Sequence, residues 1–420
     1  MIQRAQLFTS KRDSLLLLLT SFFILTVSLY IEYKNYQEFI VFDSALVDAT
    51  VLKQYTKTKN NRTYQVLKLK NKEGLVFYTT AKKSLHDIKN QEIALEIWPK
   101  DLTFYKYLTT FYGPSKIMDI KSTKSNKQNL NILISSLHKK EEVTNIYQAL
   151  YTATPLDYKL QSAFSTLGIS HLLAISGFHL GVLSALLFFL FRPIYVLIQN
   201  RFFPYANANR DIFLLVGATL FIYMLFLDSP PSLIRAFGML VIGFILYDRG
   251  IKIISMQTLF LTILLLLSLF PRLFFSLGFW LSSSGVFYIF LFLIYFKTLS
   301  KLWQFLLLPI WVYLLMLPFS LAIFENFSIY HPLSILWTSL FSIFYPLSIF
   351  LHVINFGNLF DPVLLWLLEL GKDGVLVSLN QYLFFFYILL SLGAVFSRLL
   401  MWLLLLTACS IFIYAVYHVA

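Results

Sequence analysis

From about residue 166 to its C-terminus the chain is a succession of apolar runs, and that pattern excludes most folds open to a chain of this length. The runs fall at about 166–191, 212–228, 232–247, 253–270, 274–296, 303–324 and 332–354, with two more at 381–397 and 399–418. A helix needs about 20 apolar residues to cross a hydrocarbon core of about 30 Å. In lipid only helices and closed barrels satisfy every backbone polar group. Charged residues make up 13% of the chain, where soluble domains average about 25%, and the mean hydropathy is +0.70. A polytopic α-helical membrane protein of about 8–10 spans follows. The single cysteine, Cys409, rules out an intramolecular disulfide and any cysteine-based metal site.

Charge placement gives a topology. Arg4, Lys11 and Arg12 precede an apolar stretch at 14–31, and Glu32-Tyr33-Lys34 follows where a signal peptide would carry a small-x-small cleavage site. Residues 1–32 therefore read as an uncleaved transmembrane anchor with its basic end in the cytoplasm. Arg192, Arg201 and Arg210 mark the loop after the second span as cytoplasmic. Arg249 and Lys252 mark the loop after the fourth, and Lys297 and Lys301 the loop after the sixth. The expectation is a multi-pass protein of the cytoplasmic (inner) membrane with a cytoplasmic N-terminus, which leaves 33–130 outside the cytoplasm. Beyond 354 the parity stays open: 361–380 reads as an interfacial helix, and Tyr345-Pro346 as a point where the preceding span breaks in two.

Residues 33–130 carry 17 Lys and Arg against 9 Asp and Glu. Alternation at 45–55, a polar tip Lys57-Thr58-Lys59-Asn60-Asn61-Arg62, and further runs at 63–70, 75–80 and 91–98 predict four or five short strands, the content of a small β-barrel. The positive balance suits a polyanion or anionic lipid headgroups. Lys57, Lys59, Arg62 and Lys68, with Tyr64 and Tyr78, are the candidates for binding a nucleic acid strand. Tyr55, Phe77 and Trp98 offer further rings, which either stack on bases or fill the barrel core. Residues 131–165 read as amphipathic helices at the interface, and 166–420 as the polytopic domain.

The polar residues inside the apolar runs carry the chemistry. His171 and His179 fall at offsets that share one helical face with Ile175, while Ser176, Gly177 and Gly181 weaken a helix and admit a neighbouring backbone. Such groups line a water-filled path or bond to neighbouring helices. Asp228 and Ser232 flank a helix entry that places Arg235 about one turn inside the next span. A permanent charge there is offset by Asp228, as a structural pair, or by a passing anion whose two oxygens fit its fork. Ser282 and Asn326 extend the polar series, and Glu325, Asn326 and His331 read as a solvated outer helix end.

The stretch His171-Leu172-Leu173-Ala174-Ile175-Ser176-Gly177-Phe178-His179 resembles the signature of the ComEC-type competence proteins. The resemblance continues in order through Asp228-Ser229-Pro230-Pro231-Ser232-Leu233-Ile234-Arg235-Ala236, Leu277-Gly278-Phe279-Trp280-Leu281-Ser282 and Asn326-Phe327-Ser328, over roughly residues 40–355. Trp280 stands where the family usually has glutamine, and Phe178 where it more often has leucine. The resemblance implies that 33–130 is an OB-like domain outside the cytoplasm. It further implies passage of single-stranded DNA across the cytoplasmic membrane in natural transformation, along a path through His171, Ser176, Gly177, His179, Gly181, Asp228, Ser232, Arg235, Ser282 and Asn326. Single-stranded DNA and membrane lipid are then the ligands, with no cofactor and no metal. A periplasmic DNA receptor, a cytoplasmic translocation motor and a separate nuclease are the implied partners, and self-association stays open.

The seven histidines do not form the His-x-His-x-Asp-His motif of the nuclease domain that many such proteins carry, and no Gly-x-x-x-x-Gly-Lys-Ser/Thr loop is present. A conduit without enzymatic activity is expected. A transporter of another anionic substrate would use the same Arg235 but needs no OB-like domain. An intramembrane serine hydrolase is a third reading. Ala174-Ile175-Ser176-Gly177 resembles the nucleophile site of rhomboid proteases, with His171 or His179 as base. That family's histidine lies on a different helix, and the basic β domain goes unexplained.

Overall fold

The computed structural model describes residues 10–59, 62–71, 73–121, 126–173 and 175–419. They form two compact units, Ser10–Leu133 with Leu264–Ser276, and Ile134–Ile263 with Leu277–Ala420. Arg4, the hairpin tip Asn60-Asn61 and Ala174 lie outside the described residues.

The first unit begins with helix α1 (Lys11–Ile40), closed at its start by a capping box between Ser10 and Asp13. Its 30 residues exceed the span of a bilayer, so the last turns project beyond the predicted anchor. There Tyr36 donates to the Leu102 carbonyl at 2.8 Å, and Phe39 packs on Tyr107 and Phe111. Strands β1 (Ala45–Lys59), β2 (Arg62–Asn71), β3 (Val76–Ala81) and β4 (Glu92–Ile97) follow, close to their predicted places. A short helix α2 (Phe104–Leu108) leads to β5 (Phe111–Tyr112) and β6 (Ser115–Lys121). Alternation decides the core: Val51, Leu67, Leu69, Phe77, Ile93 and Leu95 point inward and are fully buried. Each such side chain contributes about 1.5–3 kcal/mol.

The sheet order is β5-β3-β2-β1-β4-β6. An open sheet thus stands where a closed barrel was expected. β5 and β6 occupy opposite edges although only Gly113-Pro114 separates them, so the edges lie within about 11 Å of each other there. Pro114 has no N–H to carry a ladder across the gap, and the edges meet through side chains instead, Thr79 to Ser115 at 2.7 Å. In the same unit Arg272, in the turn Pro271–Phe275, forms a two-pronged pair with Glu32 at 2.9 and 2.8 Å. Its guanidinium lies 5.0 Å over the ring of Tyr107. Burial pushes the Tyr107 hydroxyl pKa up, and Arg272 opposes the shift.

The second unit is helical. Helices α3 (Asn126–Leu137), which runs into it from the first unit, α4 (Glu141–Thr152) and α5 (Tyr158–Thr166) precede the short α6 (Ser170–Leu173). Then come α7 (Gly177–Phe202), α8 (Ala208–Phe226), α9 (Pro231–Asp248), α10 (Met256–Leu269), whose second half belongs to the first unit, α11 (Leu277–Tyr295) and α12 (Lys301–Phe324). Strand β7 (Asn326–Phe327), α13 (Ser334–Val353), α14 (Asp361–Leu370), β8 (Val375–Leu376), α15 (Gln381–Gly393) and α16 (Arg398–Tyr417) complete the chain. Among the described residues seven helices are long and apolar enough to cross a membrane, and α10 and α15 are shorter apolar helices. α13 runs unbroken through Pro346, so the expected break at Tyr345-Pro346 is absent.

Two cores among the described residues pack these helices. Ile212, Val216, Leu220 and Met224 form a stripe at every fourth residue of α8 that packs with Leu180 of α7 and Leu233 of α9. The other core joins α11, α12, α15 and α16, and its buried polar tips are satisfied. Tyr288 meets Ser391 at 2.8 Å, Trp311 donates to the Tyr288 carbonyl at 3.0 Å, and Tyr387 donates to that of Leu315 at 2.9 Å.

Candidate functional site

The chain leaves helical geometry just before α7, and the residues that break it are the polar ones of the motif. Ser176 is the N-cap, extended at φ −129° and ψ 178°. Its Oγ accepts from the Phe178 N–H at 3.3 Å, while its own N–H donates to His179 Nδ1 at 3.2 Å. This is a capping box with histidine in the place usually held by Glu or Gln. His171 and His179 consequently belong to different helices, and the expected shared face with Ile175 does not exist. Because His179 Nδ1 accepts a backbone N–H, the neutral ring carries its proton on Nε2. The ring is 0% exposed, set edge-on between Phe341 and Tyr345 with centroids 5.0 and 4.7 Å away. Nε2 has no hydrogen-bond partner among the described residues.

α9 supports the break. Ser232 Oγ donates to the Ile175 carbonyl at 2.6 Å, one of the acceptors that the interrupted helix leaves open. A Cβ added at Gly177 would lie 3.3 Å from the Ala236 Cβ, so glycine admits α9 there. Gly181, by contrast, faces open space.

Between Ser232 and Ala236 the chain buries Arg235, 1% exposed and the largest fully buried side chain among the described residues. Its Nη1 donates to the Gly278 carbonyl at 2.5 Å, and its Nε has no partner. The Asp228–Arg235 pair considered from the sequence is not formed. Asp228 and Ser229 instead adopt left-handed backbone, φ +61° and +48°, in the tight turn after α8. Two such residues in succession cost about 1–3 kcal/mol each.

Gly278 opens α11. One turn on, Ser282 is half-buried, and its neighbour Ser283 is buried with an unpartnered Oγ. Trp280, at the family's glutamine position, is 40% exposed.

Asn326 pairs with Leu376 in the β7–β8 ribbon. Glu325 is exposed and Asn326 half-buried, but His331 is 3% exposed, which corrects the solvated reading. Its ring stacks on Phe327 at 4.9 Å, and Nδ1 meets the Tyr313 hydroxyl at 3.0 Å. Gly168, at φ +71°, lies so close that a Cβ there would stand 2.6 Å from the imidazole. His171 reaches Thr338 Oγ1 at 3.4 Å and sits within electrostatic range of both His179 and His331.

α13, expected as the apolar run at 332–354, carries site residues that the sequence reading missed. Thr338 meets His171, Phe341 and Tyr345 enclose His179, and Ser348 and His352 meet Tyr151. Spacings of 3, 4, 3 and 4 put all five on one face. The signal was a polar stripe inside an apolar run.

In the first unit, ladder partners share a face of the sheet. Lys57 opposes Tyr64, Lys59 opposes Arg62, and Lys68 opposes Tyr78 with its Nζ 5.6 Å from the ring. The six binding candidates therefore lie on one face, opposite the side that holds Leu67, Leu69 and Phe77. Tyr55, across from Val66, joins that face and is exposed, whereas Phe77 belongs to the core.

A family model described as "Competence protein" matches residues 153–419. No curated relative and no solved structure matches the chain.

Proposed function

Because the chain belongs to the competence protein family, of the ComEC type, with a role in DNA uptake, we propose that it conducts a single DNA strand across the cytoplasmic membrane without itself catalysing a reaction. The observation that carries the proposal is Arg235. A guanidinium buried among membrane helices is costly unless an anion meets it, and among the described residues no carboxylate pairs with it. A phosphate arriving from outside supplies that charge and fits its fork. The hydroxyl of Ser283 is a further unspent polar group of the same helical unit. A path of this kind has Arg235 as its anion-recognising residue and the His171, His179 and His331 imidazoles as its polar flank.

The basic, aromatic face of the sheet is the surface on which the strand is received. That surface distinguishes a polymer from a small anionic substrate, because Lys57, Lys59, Arg62 and Lys68 run along two strands over many ångströms. We place it outside the cytoplasm and the N-terminus inside. The Glu32–Arg272 pair supports this arrangement, because it holds the far end of α1 and the turn after α10 at one level. A receptor, a motor and a nuclease are then separate proteins.

Arg235→Ala should abolish transformation while membrane insertion persists, and Arg235→Lys should restore it only in part, since an ammonium lacks the two-pronged geometry. Wild-type transformation by a stably inserted Arg235→Ala protein would refute the phosphate role.

The Ser176 Oγ to His179 Nδ1 distance of 3.3 Å is the one observation that favours a hydrolase. Both atoms are already engaged by the cap, which makes the contact a consequence of helix initiation.

A further inference from the structure

The first unit holds a cavity away from the basic face of its sheet. It measures about 290 Å³, and Lys100, Asp101, Lys106 and Thr110 line it together with Leu102 and Phe111. The last two are buried, and the four polar residues are exposed. Lys100 and Asp101 stand in the turn after β4, where Asp101 adopts left-handed backbone at φ +56°. Lys106 stands on α2, its N–H bonded to the Thr103 Oγ1 at 3.4 Å. Two ammonium groups against one carboxylate leave the lining with one positive charge in excess.

The height of the cavity follows from α1. The apolar part of that helix ends at Ile31, and the next residue, Glu32, is the one that holds Arg272. One turn further, Tyr36 donates to the Leu102 carbonyl at 2.8 Å. Four helical residues rise at most about 6 Å, and the headgroup layer on one side of a bilayer is about 5–7 Å thick. Leu102 and the lysines that share its cavity therefore stand at headgroup depth. The surrounding rings agree. Tyr30, Tyr33, Tyr105, Phe274 and Phe275 are all exposed. Tyr33 meets Phe104 edge-on at 5.4 Å, and Tyr105 meets Phe275 edge-on at 5.5 Å. Aromatic rings gathered at the end of a spanning helix form an interfacial belt.

We propose that this cavity binds the headgroup of a phospholipid with one net negative charge, and that the bound lipid fastens the β domain to the bilayer surface. The phosphodiester lies between the Lys100 and Lys106 ammonium groups, whose apolar stems run along the belt while their charges reach the headgroup. Its single charge balances the excess of the lining. A zwitterionic headgroup carries its own ammonium and leaves that excess unbalanced. The volume is that of the smallest ligand pockets, about 300 Å³, so it takes a headgroup and leaves the acyl chains in the bilayer. A nucleic acid backbone presents the same phosphodiester. A strand is met by a run of cations, as along β1 and β2, whereas two lysines in one cavity at headgroup depth meet one phosphate.

Native mass spectrometry of the full-length protein in a neutral detergent tests this. Phosphatidylglycerol and phosphatidylcholine of the same acyl chains are titrated in parallel, and the wild type should retain one more molecule of the first. Lys100→Gln with Lys106→Gln should weaken that lipid about thirtyfold, at about fivefold per lysine. Asp101→Asn removes the opposing charge and should tighten it, and asparagine tolerates the left-handed backbone there. Lys82→Gln with Lys83→Gln makes the same change of charge in the exposed loop after β3 and should leave retention unchanged. Equal retention of the two lipids by the wild type would overturn the proposal. So would an equal loss in the Lys82 and Lys83 variant, which would make the attraction diffuse. Displacement of the lipid by single-stranded DNA, with that DNA binding lost in the Lys100 and Lys106 variant, would give the cavity to the nucleic acid instead.

Discussion

At Ser176 a hydroxyl, an amide and an imidazole close one ring of contacts, and the substitution series there separates structure from chemistry. Ser176→Ala loses the cap to the Phe178 N–H and should cost about 1 kcal/mol, leaving a conduit with most of its DNA uptake. A nucleophile would be lost outright, with activity falling by orders of magnitude. Transformation frequency normalised to membrane-inserted protein distinguishes the two. His179→Gln keeps a side-chain acceptor at the third helical position and should preserve α7, whereas His179→Leu removes it and should destabilise the start of α7. The box was concealed in the sequence because its third-position residue is histidine. Inside an apolar run, offsets of four and eight look like one helical face. Nothing local announces that the helix begins at Gly177. The burial of Arg235 was legible, since its place one turn into a span is a matter of counting. Its hydrogen bond to the Gly278 carbonyl, 43 residues away, was not.

Among the elements, those set by composition were readable and those set by partners were not. α8, α9, α12 and α16 lie within a few residues of the apolar runs, because hydrocarbon length fixes how many residues a span needs. β1 to β4 fell where alternation and turn residues put them. Closure failed, because pairing at a sheet edge depends on which strand returns to it, and Pro114 decides that locally. The role of α13 required the fold, since a stripe such as Thr338, Tyr345, Ser348 and His352 becomes meaningful only when something polar lies opposite. The pairing of His138 with Asp361 across 223 residues had no local sign at all. A prediction at this scale concerns the brace of the first unit. Arg272→Ala removes two charge-assisted hydrogen bonds and the guanidinium over Tyr107, and leaves Glu32 half-buried without its partner. It should lower stability by about 1.5–3 kcal/mol, read as a loss of thermal midpoint in detergent. Glu32→Gln should cost less, because the amide oxygen still accepts. If the Arg272→Ala and Glu32→Gln effects added fully in the double variant, the pair would be energetically uncoupled.

For the whole molecule, the distribution of charge relative to the membrane joins reception of the strand to its passage. A polyanion meeting Lys57, Lys59 and Arg62 in the full-length protein should bind with steep salt dependence. Replacing these three by glutamine should reduce the slope of log K against log salt by about 2, at about 0.7 per contact with a single strand. An unchanged slope would assign the face to lipid headgroups. That receiving face serves uptake only if it lies on the side from which DNA arrives, which makes topology the most exposed part of the argument. Cys409 is the chain's single cysteine, so a Cys409→Ser background gives a clean probe. Lys59→Cys, exposed at the tip of β1, should react with a membrane-impermeant thiol reagent in cells permeabilised only at the outer membrane. Lys297→Cys, exposed in the basic loop between α11 and α12, should react only after the inner membrane is lysed. Five apolar helices, α7 to α11, separate the two sites, and if each crosses the membrane the odd number puts them on opposite sides. Labelling of both from outside would show that one of α7 to α11 does not cross. Labelling of Lys297→Cys alone would invert the protein, turn the basic face toward the cytoplasm, and leave Arg235 to be reached from the other end.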